Sequence, residues 1–213
     1  MTNTAQFPDF TIENQYDGLV CGIDEAGRGP LAGCVVAACV YIPDDIRQHT
    51  FIQSINDSKK LTRKNRETLF VQIMEHCLFG IAQVTPEEID SLNIHHASLL
   101  AMKRAHGIMQ DNFKIEPEVA LIDGKFSPAL PCSPKPVIKG DRLSLSIAAA
   151  SILAKVTRDR IMTELHLDYP VYGWERNAGY GTKEHLRAIA DHGITAHHRR
   201  SYAPVKSAIY SSY

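Results

Sequence analysis

Four acidic residues stand where a packed core would not put them. Asp24 and Glu25 follow the apolar run Leu19-Val20-Cys21-Gly22-Ile23, Asp123 closes Leu121-Ile122-Asp123-Gly124, and Asp141 follows Lys139-Gly140 just ahead of an alanine-rich stretch. The carboxyl ends of sheet strands are where α/β folds hold ligands. Carboxylates converging there cannot all stay ionised without a counter-charge, and a divalent cation with oxygen ligands is the usual one. Adjacent strand residues point to opposite faces, so Asp24 and Glu25 reach one site only if the chain bends. Gly27 and Gly29 permit such a bend and leave backbone N–H groups open to a ligand. Each acid also has an ordinary alternative: a polar turn for Asp24-Glu25, a turn pair for Asp123-Gly124, a helix cap for Asp141. Against these, Ile23 and Ile122 mark buried strands that deliver acids to exposed ends.

Other chemistries fit less well. Gly27-Arg28-Gly29-Pro30-Leu31-Ala32 satisfies the dinucleotide pattern G-x-G-x-x-A. That motif should open a helix, whereas a β-branched apolar run follows, and two acids before the loop would repel a pyrophosphate. The histidine pairs His95-His96 and His197-His198 lack the i, i+4 spacing of a helical zinc motif and read as surface or capping residues. The five cysteines are odd in number and form no C-x-x-C pair, which argues against a disulfide framework or structural zinc site, and the apolar neighbours of Cys21, Cys34, Cys39 and Cys77 point to buried thiols in a reducing compartment. No serine or cysteine nucleophile motif is recognisable.

The elements that must carry these residues follow from periodicity. Leu19–Ile23 and Cys34–Ile42 read as buried strands, Arg63–Leu78 as a helix with Leu69, Phe70, Ile73, Met74, Cys77 and Leu78 on one face, and Phe79–Val84 as a strand. Thr85-Pro86-Glu87-Glu88 starts another helix, with a capping threonine, a proline at the first position and a glutamate three residues after the cap. A longer helix is expected over Ile94–Met109 with Ala97, Ala101, Ala105 and Ile108 inward, then a strand at Glu118–Ile122. Beyond a proline-rich stretch come a short strand at Val137-Ile138, a helix over Ile147–Leu165, a glycine- and aromatic-rich loop over Tyr169–Gly181, and a helix over Lys183–His192 that stops at Gly193. Residues 1–17 read as an extension and residues 18–213 as one α/β layered domain with a helical C-terminal part.

Composition agrees with that class. The chain has 213 residues, 44% apolar and 22% charged, which excludes disordered and collagen-like chains. The apolar run Leu31–Ile42 is too short to span a bilayer, and the N-terminus carries Asp9, Glu13 and Asp17 rather than a basic leader region. No membrane association and a cytoplasmic location are expected. The net charge of −1 gives no overall basic excess, but Lys59–Arg66 holds five basic residues and no acid, and Arg199, Arg200 and Lys206 cluster late. Such a stripe can follow a phosphate backbone or form a solvated helix face.

The motifs resemble those of ribonuclease HII, the type 2 ribonuclease H family. The resemblance rests on Gly22–Gly33 (GIDEAGRGPLAG), Asn56–Leu61 (NDSKKL), Leu121–Gly124, Lys139–Asp141, Ile147–Asp159 (IAAASILAKVTRD), Gly179–Thr182 and His197–Ser201, all in the family's order. It implies a ribonuclease H-like mixed sheet flanked by helices. It also implies endonucleolytic cleavage of the RNA strand of RNA–DNA hybrids and incision 5′ of single ribonucleotides in duplex DNA, giving 5′-phosphate and 3′-hydroxyl ends. The four catalytic and metal-binding acids carry over onto Asp24, Glu25, Asp123 and Asp141, with Mg²⁺ or Mn²⁺ as the ion and a pair of cations serving the displacement. Gly27, Arg28 and Gly29 take the place of the turn that reads the ribose 2′-hydroxyl, and Tyr180 that of the residue packing on the adjacent deoxyribose, with Tyr172 as its competitor. Ser58, Lys59, Lys60, Ser151 and Lys155 are expected phosphate contacts, with an ordinary solvated helix residue as the alternative for Lys155. A monomer is expected, and no clear clamp-binding peptide stands at the C-terminus. The rival class is a nucleic-acid-binding module without catalysis, which would have no need of four convergent acids.

Overall fold

The computed structural model describes residues 7–210. Its sheet has five strands in the order β3-β2-β1-β4-β5, formed by β1 (Val20–Ala26), β2 (Val35–Tyr41), β3 (Leu78–Val84), β4 (Val119–Asp123) and β5 (Ser133–Val137). β1 and β2 pair antiparallel, as do β2 and β3, whereas β4 runs parallel to both β1 and β5. The helices are α1 (Arg63–His76), α2 (Pro86–Leu92), α3 (Ile94–Phe113), α4 (Leu145–Asp168), α5 (Trp174–Asn177), α6 (Lys183–His192) and α7 (Ala203–Tyr210).

The central strands are apolar on both faces because helices cover both. Val36, Ala38 and Val40 of β2 meet α4 and α1 on one side, while Val35, Ala37, Cys39 and Ile23 meet α3 on the other. Small residues let α4 lie close. Ala148, Ala149 and Ala150 are fully buried, and a Cβ at Gly22 would stand 2.2 Å from the Ile147 amide nitrogen. α4 therefore passes directly over the β1 segment that leads into Asp24.

Several boundaries differ from the sequence reading. β1 continues through Asp24 and Glu25 to Ala26 because β2 keeps pairing with it, Asp24 opposite Ala38 and Glu25 opposite Ala37. α1 ends at His76, so Leu78 opens β3 instead of closing the helix, and Met74 is turned to solvent. In α3, Ile108 faces outward; Met102, His106 and Met109 fill the buried face beside Ala97, Ala101 and Ala105. The last strand begins in the proline-rich stretch at Ser133 and ends on Val137, so the strand expected at Val137-Ile138 is met at Val137 only. Its inward bonds run through Ser133 N–H to Glu118 C=O and Gly124 N–H to Val137 C=O, so Pro134 and Pro136 turn their donor-less nitrogens to the open edge. Prolines there block further strand addition. The caps follow the sequence: Thr85 and Glu88 form a reciprocal capping box, and α6 spans Lys183–His192.

Of the N-terminal extension, residues 1–6 lie outside the described residues; the remainder is bound to the domain. Phe10, Ile12 and Tyr16 pack against its cores, and Glu13 is buried against the start of α4. Among the described residues no helix is long and apolar enough to cross a membrane.

Candidate active site

The parallel register of β1 and β4 builds the site. Ile23 pairs with Ile122, so Asp24 and Asp123 follow side by side where β4 ends. Beyond them the chain turns at Gly27, whose φ of +97° a side chain would resist and whose Cβ would collide with Arg158 Nε at 2.0 Å. A cavity of about 320 Å³ opens there, lined by Asp24, Glu25, Gly27, Arg28, Gly29, Asp123, Ser58, Lys59, Ser151, Lys155 and Tyr180, with Ala26 and Arg158. Asp24 and Glu25 both line this cavity although β1 stays paired with β2 through Ala26, so the bend expected between them is absent: the chain turns only at Gly27, and the cavity opens at the strand's end where both acids reach it.

Asp141 lies beside this cavity, buried on its own turn, where Gly140 N–H donates to Asp123 Oδ1 at 2.7 Å. Lys59 Nζ stands 3.9 Å from Asp141 Oδ2. Ser58 and Ser151 share a hydrogen bond of 2.8 Å, and Lys155 is held by Asp159 at 2.8 Å. Lys60 is exposed and does not line the cavity. Tyr172 is loop core: its ring stacks on Trp174 and its hydroxyl donates to Gly193 C=O. Tyr180 is the tyrosine that reaches the cavity, half exposed and with Cε1 3.4 Å from where a Gly29 Cβ would be.

The acids disturb one another. Burial, then the charges of Glu25, Asp123 and Asp141, hold the Asp24 carboxyl well above the usual carboxylate range. Burial raises Glu25 as well, against the Arg28 guanidinium 3.2 Å away, and burial followed by Asp123 and Asp57 raises Asp141. Burial works against the Lys59 ammonium, but the charges of Asp24, Asp141, Asp57 and Asp123 together hold it above its ordinary value. Among the described residues no three of His, Cys, Asp and Glu form a ready-made ligand set. Even so, the residues suit a divalent cation: the donors are hard oxygens, they repel one another, and Glu25 Oε2 is buried without a hydrogen-bond partner.

Two buried arginines, one holding the Gly27–Gly29 turn and one the segments packed beside it, escape a reading of the sequence. Arg199 belongs to the late basic cluster, yet it is fully buried and reaches no solvent phosphate. It donates to the carbonyls of Gly27 (2.6 Å), Arg28 (2.9 Å), Gly33 (3.0 Å) and Cys34 (3.2 Å). Arg158 donates to Cys34, Ala178 and Ala32. Both are cations used as frameworks of N–H donors, a role that charge patterning cannot signal. His185 and His198 are likewise buried core groups, where surface positions were expected of the His197-His198 pair.

A mixed five-stranded sheet with acids at its parallel strand ends is the architecture of the ribonuclease H-like nucleases. The archaeal ribonuclease H2 from Pyrococcus horikoshii OT3 shares the fold, with a TM-score of 0.72 at 24% identity over 91% of this chain and 98% of that one. Bst-RNase HIII, solved in complex with Mn²⁺, gives 0.71 at 20% identity over 91% and 70%. The family model for Ribonuclease HII matches residues 21–205. A ribonuclease HII from Wolbachia pipientis subsp. Culex pipiens is 50% identical over 201 residues, 94% of this chain and 98% of the relative. The chain belongs to the ribonuclease HII family.

Proposed function

We propose that the protein is a metal-dependent endonuclease that cleaves the RNA strand of RNA–DNA hybrids and incises 5′ of single ribonucleotides in duplex DNA. One observation carries the reading: the β1–β4 register sets Asp24 beside Asp123 in the same cavity as the Gly27-Arg28-Gly29 turn and Tyr180. Mg²⁺ or Mn²⁺ held by Asp24, Glu25, Asp123 and Asp141 would supply an activated water and stabilisation of the leaving 3′ oxygen. The Mn²⁺ of Bst-RNase HIII supports the choice of ion.

The chain's own residues bind and orient the substrate. The backbone of Gly27 and Gly29 and the Arg28 side chain, half exposed beside Glu25, read the ribose 2′-hydroxyl, the one group that separates RNA from DNA at a given position. Tyr180 packs on the adjacent deoxyribose from the cavity wall it shares with Gly29. Ser58, Ser151, Lys59 and Lys155 meet the phosphates at the cavity wall, with Lys60 further out on the strand's path. The protein acts as a monomer in the cytoplasm on substrate generated there. The proposed absence of a clamp-binding peptide concerns a C-terminus of which residues 211–213 lie outside the described residues.

The test is incubation with a duplex carrying one ribonucleotide, with Mg²⁺ or Mn²⁺, followed by end-group analysis. Cleavage 5′ of the ribonucleotide with 5′-phosphate and 3′-hydroxyl ends is expected. A duplex that is bound but never cut would support the binding-module alternative.

A further inference from the structure

We propose that Glu13 is a positioning residue for the carboxylate centre, acting through the turn that holds Asp141. The inference rests on the proposed role of Asp24, Glu25, Asp123 and Asp141 as ligands of a divalent cation. Glu13 lies ahead of the residues matched by the family model, which begin at position 21.

The connection can be followed bond by bond. Asp141 sits in a short turn anchored at both ends. At the near end, Gly140 N–H donates to Asp123 Oδ1 at 2.7 Å, and Gly140 C=O accepts from Leu143 and Ser144 at 3.0 and 2.9 Å. At the far end, Ser144 is the N-cap of α4, with Oγ accepting from Ile147 N–H at 3.2 Å. Glu13 Oε1 accepts from that same hydroxyl at 2.7 Å and from Ser146 N–H at 3.0 Å. The backbone beside it adds two bonds, Asp9 N–H to Leu143 C=O and Leu145 N–H to Asp9 C=O, both 3.2 Å. Asp141 is therefore held between a bond to Asp123, another of the four acids, and a strap from the N-terminus.

Docking the strap does not by itself call for a carboxylate. Phe10, Ile12 and Tyr16 already pack it against the domain. Glu13 is 2% exposed, and its Oε2 has no hydrogen-bond partner. Burying a polar oxygen without a hydrogen-bond partner is unfavourable, so docking alone would favour an apolar side chain there. What the carboxylate adds is direction: two donors from the first turn of α4 meet at one oxygen, which fixes the helix end and the turn before it. Groups that hydrogen-bond a metal ligand directly change metal affinity by roughly 10- to 100-fold when removed, and Glu13, one link further back, is expected at the lower end.

The experiment measures Mn²⁺ binding to the full chain by isothermal titration calorimetry without nucleic acid, alongside melting temperature in a chelator. Glu13→Ala should raise the Mn²⁺ dissociation constant by about 10-fold. Glu13→Gln, whose amide oxygen can still accept both bonds, should recover most of the loss. Ser144→Ala should weaken Mn²⁺ in the same direction, and it supplies the reading if Glu13→Ala fails to fold. A lower melting temperature with an unchanged Mn²⁺ constant in the folded variants would make Glu13 merely structural and overturn the proposal. If the wild-type chain binds no Mn²⁺, the metal reading itself falls and this inference falls with it.

Discussion

Arg199 Nη2 donates to the carbonyl oxygen of Gly27 at 2.6 Å across 172 positions of sequence. The same guanidinium reaches the Arg28 carbonyl, and the Tyr202 hydroxyl donates to that oxygen at 2.6 Å. The turn assigned to the 2′-hydroxyl is thus shaped from behind by the C-terminal segment. Arg199→Met would leave several buried carbonyls unpaired, each worth about 1–3 kcal/mol. We expect a loss of at least about 3 kcal/mol in denaturant unfolding. In whatever fraction stays folded, cleavage at a single ribonucleotide should fall more than cleavage of a long hybrid. Equal loss of the two activities would separate Arg199 from the turn's function.

Asp24→Asn and Asp123→Asn should abolish cleavage while the fold persists, since each keeps the shape of the side chain and loses a negative ligand. Asp24 has a folded pKa above its unfolded value, so its ionisation subtracts stability once pH rises past the usual carboxylate range. The amide removes that burden. Without metal at neutral pH, Asp24→Asn should melt higher than wild type in calorimetry. Near-normal turnover in either variant would sink the metal assignment.

Gly29→Ala and Lys60→Ala separate reading from attraction. No backbone strain is involved at Gly29; the added methyl meets Tyr180 Cε1 at 3.4 Å and narrows the gap between turn and ring. The ratio of single-ribonucleotide to long-hybrid cleavage should therefore change. Lys60 is exposed outside the cavity, so its loss should lower both activities together and make the salt dependence shallower. Kinetics on both substrates over a salt series decide, and a constant ratio in Gly29→Ala would remove the turn from recognition.

Acid should loosen the segment that carries Tyr180. Thr195 N–H donates to His198 Nδ1 at 3.0 Å, which leaves the His198 proton on Nε2, facing His185 Nε2 at 3.1 Å. His185 Nδ1 then donates to the Tyr180 carbonyl at 2.9 Å, and Trp174 Nε1 donates to His185 Nε2. This network needs both imidazoles neutral. Burial, and then the charges of His185 and His197, push His198 down to about 4. A depressed folded pKa means the stabilisation is complete above the unfolded value near 6.5 and is lost as pH falls toward about 4, on the order of 3 kcal/mol in all. Trp174 is the only tryptophan, so its fluorescence reports directly. We expect a transition between about pH 6 and 4 that His198→Gln shifts; a flat signal there would count against the network.

The sequence by itself determined the strands that deliver the acids, the caps of the helices and the motifs around Asp24, Asp123 and Asp141. These are local matters: a buried strand shows in its apolar run, and a cap in a few neighbouring residues. Tertiary structure decided what depends on distant partners. β1 runs on through Asp24 and Glu25 because β2 continues to pair with it, and Asp24 stands beside Asp123 because the parallel register of β1 and β4 puts it there. Arg199 and Lys60 both read as members of a basic stripe, yet one is buried under the turn and the other is in solvent. Charge is visible in sequence, but burial is set by which chain segments meet. Glu13, in a stretch without periodicity, becomes part of the domain only when Ser144 and Ser146 are brought to it by the first turn of α4.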